Sequence, residues 1–274
     1  MHRGKVKDVY ELDNGNLMFH FSDRVSAFDV MMTTSIPKKG EVLCKFGQFW
    51  FDILDTPHHM VQALDNNKME VKRLKMIPIE CVVRGYFYGS FIHRYKDRLG
   101  KELPSDFRPQ LASRLPKPIF DPTTKSEDHD RPVNRQELIS SGIIDEAGYD
   151  LLESRSISLY NKMSKIVDMA GFIMADVKFE FGKDELGETI LGDSLGPDEY
   201  RLWLKNDYQP GKIQESYDKQ LLRDWLTGIG FKDTVDSFAK QGKKPPAPTV
   251  SPNIANELSR RYIFAYEQIT GRKL

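Results

Sequence analysis

The beginning of the chain combines a β-hairpin pattern with one clear helical pattern. Residues 5–12 and 17–21 are β-prone runs, and Asp13-Asn14-Gly15-Asn16 lies between them. This arrangement predicts two strands joined by a tight turn. Over residues 41–54 apolar side chains recur at helical spacing and form one wide stripe, which predicts an amphipathic helix.

The next segments predict strands and then an irregular stretch. Residues 71–76 and 79–86 have strand patterns separated by Pro78. Between 103 and 132 six prolines interrupt the chain: Pro104, Pro109, Pro116, Pro118, Pro122 and Pro132. We expect them to exclude regular structure over most of this stretch, and a long irregular stretch in a compact protein is usually functional or disordered.

Helical patterns dominate the rest of the chain, with one strand pair among them. The predicted elements are helices over 135–141 and 145–170, strands over 172–181 and 189–194, and helices over 216–227 and 252–269. A stiff linker covers 242–248, and Ser251-Pro252 has the N-cap and first-turn residues of the last helix. Because strands come first and helices later, the sequence predicts the α+β class.

Composition excludes several classes of protein. The chain has 274 residues, with 40 basic and 40 acidic side chains and a formal net charge of zero, which argues against a nucleic-acid or membrane-surface binder. No segment approaches the roughly 20 apolar residues of a membrane span, and the N-terminus lacks the apolar region of a secretory signal. Cys44 and Cys81 show no metal-site or CxxC spacing and are expected to be ordinary thiols. We therefore expect a cytoplasmic protein.

The strand pattern over 173–181 carries the strongest chemical signal. Alternation places Asp176, Lys178 and Glu180 on the face opposite the apolar residues, in steps of about 6–7 Å. A carboxylate–ammonium–carboxylate row suits a Mg²⁺-nucleotide site, because carboxylates hold the cation and lysine offsets phosphate charge. The same pattern is typical of the solvated face of an antiparallel strand. The returning strand brings Asp193 to this region, and the sequence leaves its face open.

Two further segments combine anion-binding features. In residues 77–90 a buried strand leads to Arg84, and Gly89-Ser90 begins a predicted helix, which suits a monophosphate pocket. An ordinary strand-to-helix turn is the alternative. Lys5 and Lys7 share one face of the first hairpin, where they either lie over a polyphosphate or form a solvated edge. Neither a P-loop nor a Rossmann fingerprint is present.

The polar loop 121–130 contains Lys125 and His129 among several acids. Such a loop either closes over a charged substrate or is simply exposed. The chain shows no Ser–His–Asp order and no H-E-x-x-H motif, so hydrolytic classes lack support.

Several segments, in order along nearly the whole chain, together resemble the SAICAR synthetase (phosphoribosylaminoimidazole-succinocarboxamide synthase) family. They are Gly4-Lys5-Val6-Lys7-Asp8-Val9-Tyr10, Ser22-Asp23-Arg24-Val25-Ser26-Ala27-Phe28-Asp29, residues 77–90, Pro122-Thr123-Thr124-Lys125 with His129-Asp130, Ala175-Asp176-Val177-Lys178-Phe179-Glu180-Phe181-Gly182, and residues 216–225. Two positions depart from the family pattern. Tyr88 stands where the family usually has a small residue, and Gly47 where it often has serine.

The resemblance implies an ATP-grasp-like, two-lobed α+β fold, with a nucleotide-binding lobe over 1–77 and a substrate- and metal-binding lobe over 78–274. It also implies an ATP-dependent ligase of purine biosynthesis. The reaction joins CAIR (a carboxyaminoimidazole ribonucleotide) and L-aspartate to give SAICAR, ADP and phosphate through an acyl phosphate. Mg²⁺ is the implied cofactor. We expect small-molecule substrates only, no nucleic-acid or membrane partner, and a monomer or small homo-oligomer.

The resemblance also implies residue roles. They are Lys178 and Asp176 at the reacting groups; Lys5, Lys7 and Glu80 near ATP; Glu180 and Asp193 on Mg²⁺; Arg84, Ser90, Arg201 and Lys212 on the phosphate side of CAIR; and Lys125, His129, Asp130, Asp23 and Ser26 in the loops that close around the acceptor substrates.

Two other functions compete with the ligase. An ATP-grasp-like small-molecule kinase would use the same lysines and carboxylates but transfer phosphate to a hydroxyl group. An RNA-recognition motif has a basic-aromatic core similar to Arg84-Gly85-Tyr86-Phe87-Tyr88, but it requires Gly or Ala where Phe87 stands. Neutral net charge further disfavours RNA binding.

Overall fold

The computed structural model describes residues 1–125 and 131–274. The strands, in chain order, are β1 (His2–Arg3), β2 (Lys7–Glu11), β3 (Leu17–Phe21), β4 (Ser26–Ala27), β5 (Val30–Met31), β6 (Met60–Asp65), β7 (Lys68–Val71), β8 (Lys75–Met76), β9 (Ile79–Tyr86), β10 (Arg114–Phe120), β11 (Thr123–Thr124), β12 (Phe172–Lys183), β13 (Thr189–Gly192) and β14 (Tyr200–Leu204). The α-helices are α1 (Lys39–Ile53), α2 (Arg135–Ser140), α3 (Glu146–Met169), α4 (Gln220–Gly228), α5 (Phe231–Ala239) and α6 (Pro252–Thr270), and short 3-10 helices cover Gly89–His93 and Tyr95–Arg98.

The chain forms two compact units. The first comprises Met1–Arg73, Ser194–Asp198 and Ser216–Leu274, and the second comprises Leu74–Asp193 and Glu199–Glu215. The sequence places residues 216–274 in the second lobe, whereas in the structure they belong to the same unit as the N-terminal residues. The assignment of separate functions to two lobes stays a prediction.

The first unit contains a five-stranded antiparallel sheet in the order β1-β2-β3-β7-β6. The predicted hairpin is confirmed as β2–β3, and Gly15 has a φ of 83° in its turn, a conformation that glycine adopts without steric cost. Helix α1 packs on β3, β6 and α6. The predicted start of α6 is also confirmed, since the Ser251 hydroxyl accepts the Ile254 N–H.

The second unit is built on a seven-stranded sheet whose path is β10-β9-β12-β13, with β11 on β9 and β8 and β14 on β12. Helix α3 packs across β12, β9 and β10. The long strand β12 lies at the centre and pairs with β8, β9, β13 and β14. Its side chains are buried on both faces except for a partly exposed Lys178 and an exposed Lys183, so its polar residues lie inside the protein.

The proline-rich stretch is irregular over most of its described residues, as predicted, but residues 114–120 form strand β10. This strand includes Pro116 and Pro118, and its register with β9 is irregular between Arg114 and Ile119. Proline lacks only the N–H donor, so an edge strand with an irregular register tolerates it. Because β10 is at one end of the sheet path, the backbone N–H groups along its outer edge are not required for pairing within the sheet.

Other predictions failed at element boundaries. The predicted strand over 71–76 is divided between β7 and β8, because the chain passes from one compact unit to the other at Arg73 and Leu74. Helix α4 begins at Gln220 rather than at 216, after a turn in which the Asp218 carboxylate accepts the Gln220 N–H. Strands β6 and β14 were not predicted.

Both thiols are free and buried. Burial raises the pKa of Cys44 to about 12, and burial likewise raises the pKa of Cys81. Within residues 1–125 and 131–274, no helix is long and apolar enough to cross a membrane.

Candidate functional site

Strands β9 and β12 place the predicted polar residues on one face of the second unit. They are antiparallel, with Asp176 opposite Arg84 and Phe179 opposite Cys81. Residues directly opposite each other in an antiparallel pair share a face, and every second residue returns to it. This geometry puts Glu80 and Arg84 of β9 on the same face as Asp176, Lys178 and Glu180 of β12.

The first cluster on this face is a carboxylate–lysine network. Lys178 Nζ lies 2.8 Å from Glu80 Oε1 and 2.8 Å from Glu180 Oε1. Thr123 of β11 donates to the second oxygen of Glu80 at 2.9 Å, and Lys125 Nζ pairs with the second oxygen of Glu180. The Glu180 side chain is only 2% exposed. The interpretation of this row as a solvated strand face is therefore wrong.

Charge pairing outweighs burial within this network. Burial disfavours the charged form of Glu180, but Lys178 and Lys125 lower its pKa to about 2. Burial likewise opposes the Lys178 ammonium, yet Glu180 and Glu80 raise the pKa of Lys178. Both groups are thus charged at neutral pH, as chemistry on a phosphoryl group requires.

The second cluster is a buried arginine–aspartate network at Arg84. Its Nε donates to Asp121 at 3.0 Å, its Nη1 donates to Asp176 at 3.0 Å, and its Nη2 donates to the Ser90 hydroxyl at 3.2 Å. Arg201 of β14 pairs with the same Asp176 oxygen. Burial opposes ionisation of Asp176, but Arg201 and Arg84 lower its pKa. Two guanidinium groups thus converge beside a serine hydroxyl, an arrangement suited to a phosphate.

Sequence reasoning missed three members of this second cluster. Asp121 is 3% exposed and accepts hydrogen bonds from Arg94 at 2.5 Å and from Arg98 at 3.5 Å as well as from Arg84. The available signal was the spacing of Arg94 and Arg98, four residues apart, directly after the predicted phosphate pocket. The predicted helix there is confirmed only as the 3-10 helix Gly89–His93.

Asp193 and Lys212 are the other predicted residues of the second unit that the structure describes. Asp193 directly follows β13 with a φ of 56°, next to Gly192, which pairs with Glu180. Lys212 is exposed, and its side chain forms no hydrogen bond or ion pair with any residue in the described part of the chain. His129 and Asp130 lie outside the described residues.

In the first unit, the predicted residues have local partners. Lys5 pairs with Asp29 at 2.6 Å, and Lys7 Nζ lies 4.7 Å from the centre of the Phe19 ring. The Asp23 carboxylate accepts the N–H of Gly40 in the first turn of α1. Ser26 is buried in the short strand β4. Asp23 therefore has a structural partner of its own, which the sequence did not indicate.

Comparison with known proteins identifies the family. The family profile described as SAICAR synthetase matches residues 1–238. The chain belongs to the SAICAR synthetase family. It is 51% identical over 271 residues to the phosphoribosylaminoimidazole-succinocarboxamide synthase of Nitrosopumilus maritimus (strain SCM1), covering 99% of this chain and 98% of the relative. The enzyme of the same name from Corynebacterium efficiens is 40% identical over 283 residues, covering 98% and 90%.

Solved structures of SAICAR synthetases have the same fold. SAICAR synthase from Saccharomyces cerevisiae, complexed with SAICAR, is 34% identical with a TM-score of 0.85, covering 100% of this chain and 95% of that one. A SAICAR synthetase in complex with ADP is 26% identical with a TM-score of 0.76, covering 100% and 98%. The predicted family, α+β fold and ligase class are confirmed. The kinase alternative gains no support, since these relatives are all named as SAICAR synthases or synthetases.

Proposed function

We propose that this member of the SAICAR synthetase family joins CAIR and L-aspartate in an ATP-dependent reaction that gives SAICAR, ADP and phosphate. The observation that carries the proposal is the face formed by β9 and β12. There a buried arginine pair at Asp176 adjoins, two residues along the same strand, the carboxylate–lysine network of Lys178. The arginine–aspartate network suits a phosphate monoester, and the carboxylate–lysine network suits a reacting phosphoryl group. The relatives that bind SAICAR and ADP support both assignments.

The reaction must convert a carboxylate, which is a poor electrophile, into an amide. A carboxylate oxygen of CAIR attacks the γ-phosphorus of ATP, the bond from that phosphorus to the β–γ bridging oxygen breaks, and ADP leaves. The aspartate amine then attacks the acyl carbon, loses a proton, and expels phosphate. Lys178 stabilises negative charge on the transferred group, since its ammonium is held between Glu80 and Glu180 and needs little reorganisation.

Glu180 and Asp193 would hold Mg²⁺, which would neutralise phosphate charge. The residues present fit a magnesium ion that is shared with the substrate. In the described part of the chain no group of three or more His, Cys, Asp or Glu side chains forms a metal cage. Mg²⁺ usually binds through one or two carboxylates together with substrate phosphates, and the buried Glu180 carboxylate is a donor of this kind.

On the substrate side we assign Arg84, Ser90 and Arg201 to the phosphate of CAIR. Lys212 is assigned to the same phosphate and Asp176 to the imidazole ring. The other proposed roles are Lys5, Lys7 and Glu80 for ATP, and Lys125, His129, Asp130, Asp23 and Ser26 for closure around the acceptor substrates. The cytoplasmic location and the monomeric or small homo-oligomeric state stay predictions.

The decisive experiment measures ADP release with ATP, Mg²⁺, CAIR and L-aspartate, omitting each component in turn. We expect ADP and SAICAR in equal amounts only with all four present. With CAIR that carries ¹⁸O in its carboxylate, one ¹⁸O should appear in the released phosphate, because the attacking oxygen stays on phosphorus. ADP formation without aspartate would favour a kinase or an acyl-phosphate step that is uncoupled from amide formation. Unlabelled phosphate in the complete reaction would refute the acyl phosphate.

Matched variants connect this assay to the site. Lys178→Met should abolish ADP release. Lys205→Met should retain wild-type activity, because the Lys205 ammonium forms an exposed ion pair with Asp168 away from both clusters. If both variants keep their activity, the network at Lys178 is not the reaction centre.

A further inference from the structure

The segment Tyr88-Gly89-Ser90 differs from the family pattern in its first residue. Tyr88 has an extended backbone, with a φ of −152° and a ψ of 167°, and its side chain is only 8% exposed. The ring packs in a buried cluster with Ala112, Ile173, Ala175 and Trp203. Its edge-to-face contact with Trp203 has a centroid distance of 5.0 Å and an interplanar angle of 71°. Tyr88 is therefore a fixed part of the protein interior.

The guanidinium of Arg201 lies beside this cluster. The guanidinium carbon of Arg201 lies 5.8 Å from the centre of the Tyr88 ring, within the range of a cation–π interaction. The same guanidinium pairs with the buried carboxylate of Asp176. Two neighbours of opposite chemistry, an aromatic ring and a carboxylate, thus fix one cationic group.

Gly89 is the third neighbour of the Arg201 guanidinium. Its φ is 61°, and a Cβ built on it would lie 3.0 Å from both terminal nitrogens of Arg201. The guanidinium therefore rests directly against the Gly89 backbone, where no side chain fits. The next residue, Ser90, accepts a hydrogen bond from Arg84. The three consecutive residues thus contact the two arginines that we assign to the substrate phosphate.

We propose that Tyr88 is a positioning residue that holds the Arg201 guanidinium in place for the phosphate of the imidazole ribonucleotide. This inference rests on the proposed function. Its physical basis is preorganisation. An arginine with fixed neighbours loses less side-chain freedom on binding than an arginine free to rotate. The ring of Tyr88 supplies this restraint from inside the protein, without contacting the substrate.

Two substitutions at Tyr88 distinguish the effect of the aromatic face from the effect of an apolar side chain that packs in the cluster. Tyr88→Phe keeps the aromatic face, whereas Tyr88→Leu keeps an apolar side chain in the cluster but loses the face under Arg201. We expect Tyr88→Leu to raise the KM for CAIR about 5- to 30-fold, as fits the loss of a partly buried cation–π contact together with increased mobility. The KM for ATP should change less than 2-fold. Tyr88→Phe should restore the KM for CAIR to within about 2-fold of wild type.

Ligand affinity, rather than turnover, tests whether Tyr88 positions the Arg201 guanidinium. The dissociation constants of SAICAR and of its dephosphorylated riboside are measured by calorimetry for wild type, Tyr88→Phe, Tyr88→Leu and the control Lys205→Met. We expect Tyr88→Leu to weaken SAICAR binding 5- to 30-fold and the riboside less than 2-fold, because only SAICAR carries the phosphate. Thermal melting of each variant shows whether it is folded.

Two outcomes would overturn the proposal. One is equal weakening of SAICAR and the riboside by Tyr88→Leu, which would mean that the ring only supports the pocket. The other is unchanged SAICAR binding in a folded Tyr88→Leu protein. Failure of the proposed function looks different, since wild type itself would then bind neither ligand and would form no SAICAR.

Discussion

Removal of the Lys178 ammonium should create a pH-dependent instability that the wild-type protein lacks. Glu80 Oε1 and Glu180 Oε1 each lie 2.8 Å from Lys178 Nζ, so these two oxygens are no more than about 5.6 Å apart. In Lys178→Met the two carboxylates face each other without the cation between them. At an effective dielectric constant of about 20, their repulsion is roughly 3 kcal/mol. Because about 5.6 Å is the largest possible separation, this is the smallest repulsion that the distance allows, and Lys125, whose side chain is about half exposed, offsets part of it at Glu180.

The sign of the pH dependence follows from proton binding. Repulsion raises the pKa of the carboxylate pair in the folded variant above its value in the unfolded chain. The folded state then holds a proton that the unfolded state has released, so stability is retained at low pH and lost as pH rises through the raised pKa. In wild type, by contrast, burial disfavours the Lys178 charge, but Glu180 and Glu80 raise its pKa, and the cation persists across neutral pH.

The assay compares melting temperatures at pH 5 and pH 8. A loss of roughly 3 kcal/mol corresponds to about 6–12 °C for a protein of this size, so the melting temperature of Lys178→Met should fall by several degrees more than that of wild type between pH 5 and pH 8. Lys178→Met/Glu180→Gln is the matched control, because it removes one carboxylate and should abolish the excess loss. Equal pH dependence in wild type and Lys178→Met would refute the reasoning, since the carboxylates would then not be held together by Lys178.

Three other substitutions test the scaffold around the site. Arg84→Met should destabilise the fold by about 2–4 kcal/mol in urea denaturation, because it removes one guanidinium from two buried carboxylates; a loss below about 1 kcal/mol would contradict the buried network. Gly85→Ala should lower the melting temperature sharply, since the added Cβ would lie 1.6 Å from the Tyr160 hydroxyl, and Tyr160→Ala should recover part of that loss when combined with it. Ser251→Ala should cost about 1 kcal/mol by removing the N-cap of α6, whereas Ser251→Thr should cost less.

Elements with a complete local signal were predicted well from the sequence. The β2–β3 hairpin has its turn residues and a glycine at positive φ between two β-prone runs. Helices α3 and α6 are capped by Asp145 and Ser251, whose side chains accept N–H groups of the first turn. In each case the residues that determine the structure are close in sequence, so periodicity and capping rules are sufficient.

Strands without such a signal depend on distant partners. Strand β6 has exposed residues along most of its length, which removes the apolar alternation that marks a half-buried strand. Strand β10 contains two prolines, and only its place at the edge of the sheet makes them acceptable. Neither the exposure of β6 nor the edge position of β10 can be inferred from the residues of the strand itself.

The placement of the charged residues of the candidate site could be predicted from the sequence, but their contacts could not. Alternation along β12 correctly placed Asp176, Lys178 and Glu180 on one face. It could not show that the face is buried, because burial depends on partners far along the chain. Arg84 is 92 residues from Asp176, and Lys125 is 55 residues from Glu180. The same alternation of charged residues occurs in a strand whose polar face is exposed to water and in a strand whose charged side chains are paired inside the protein.

The charge pairing of the site explains how a protein with zero net charge can bind several anionic ligands. Glu180 is neutralised by Lys178 and Lys125, and Asp176 is neutralised by Arg84 and Arg201. Burying each of these charges alone would cost several kcal/mol, so the protein pairs them internally. If a phosphate binds the arginines, or a cation binds Glu180, these side chains therefore exchange an ionic partner within the protein for the ligand.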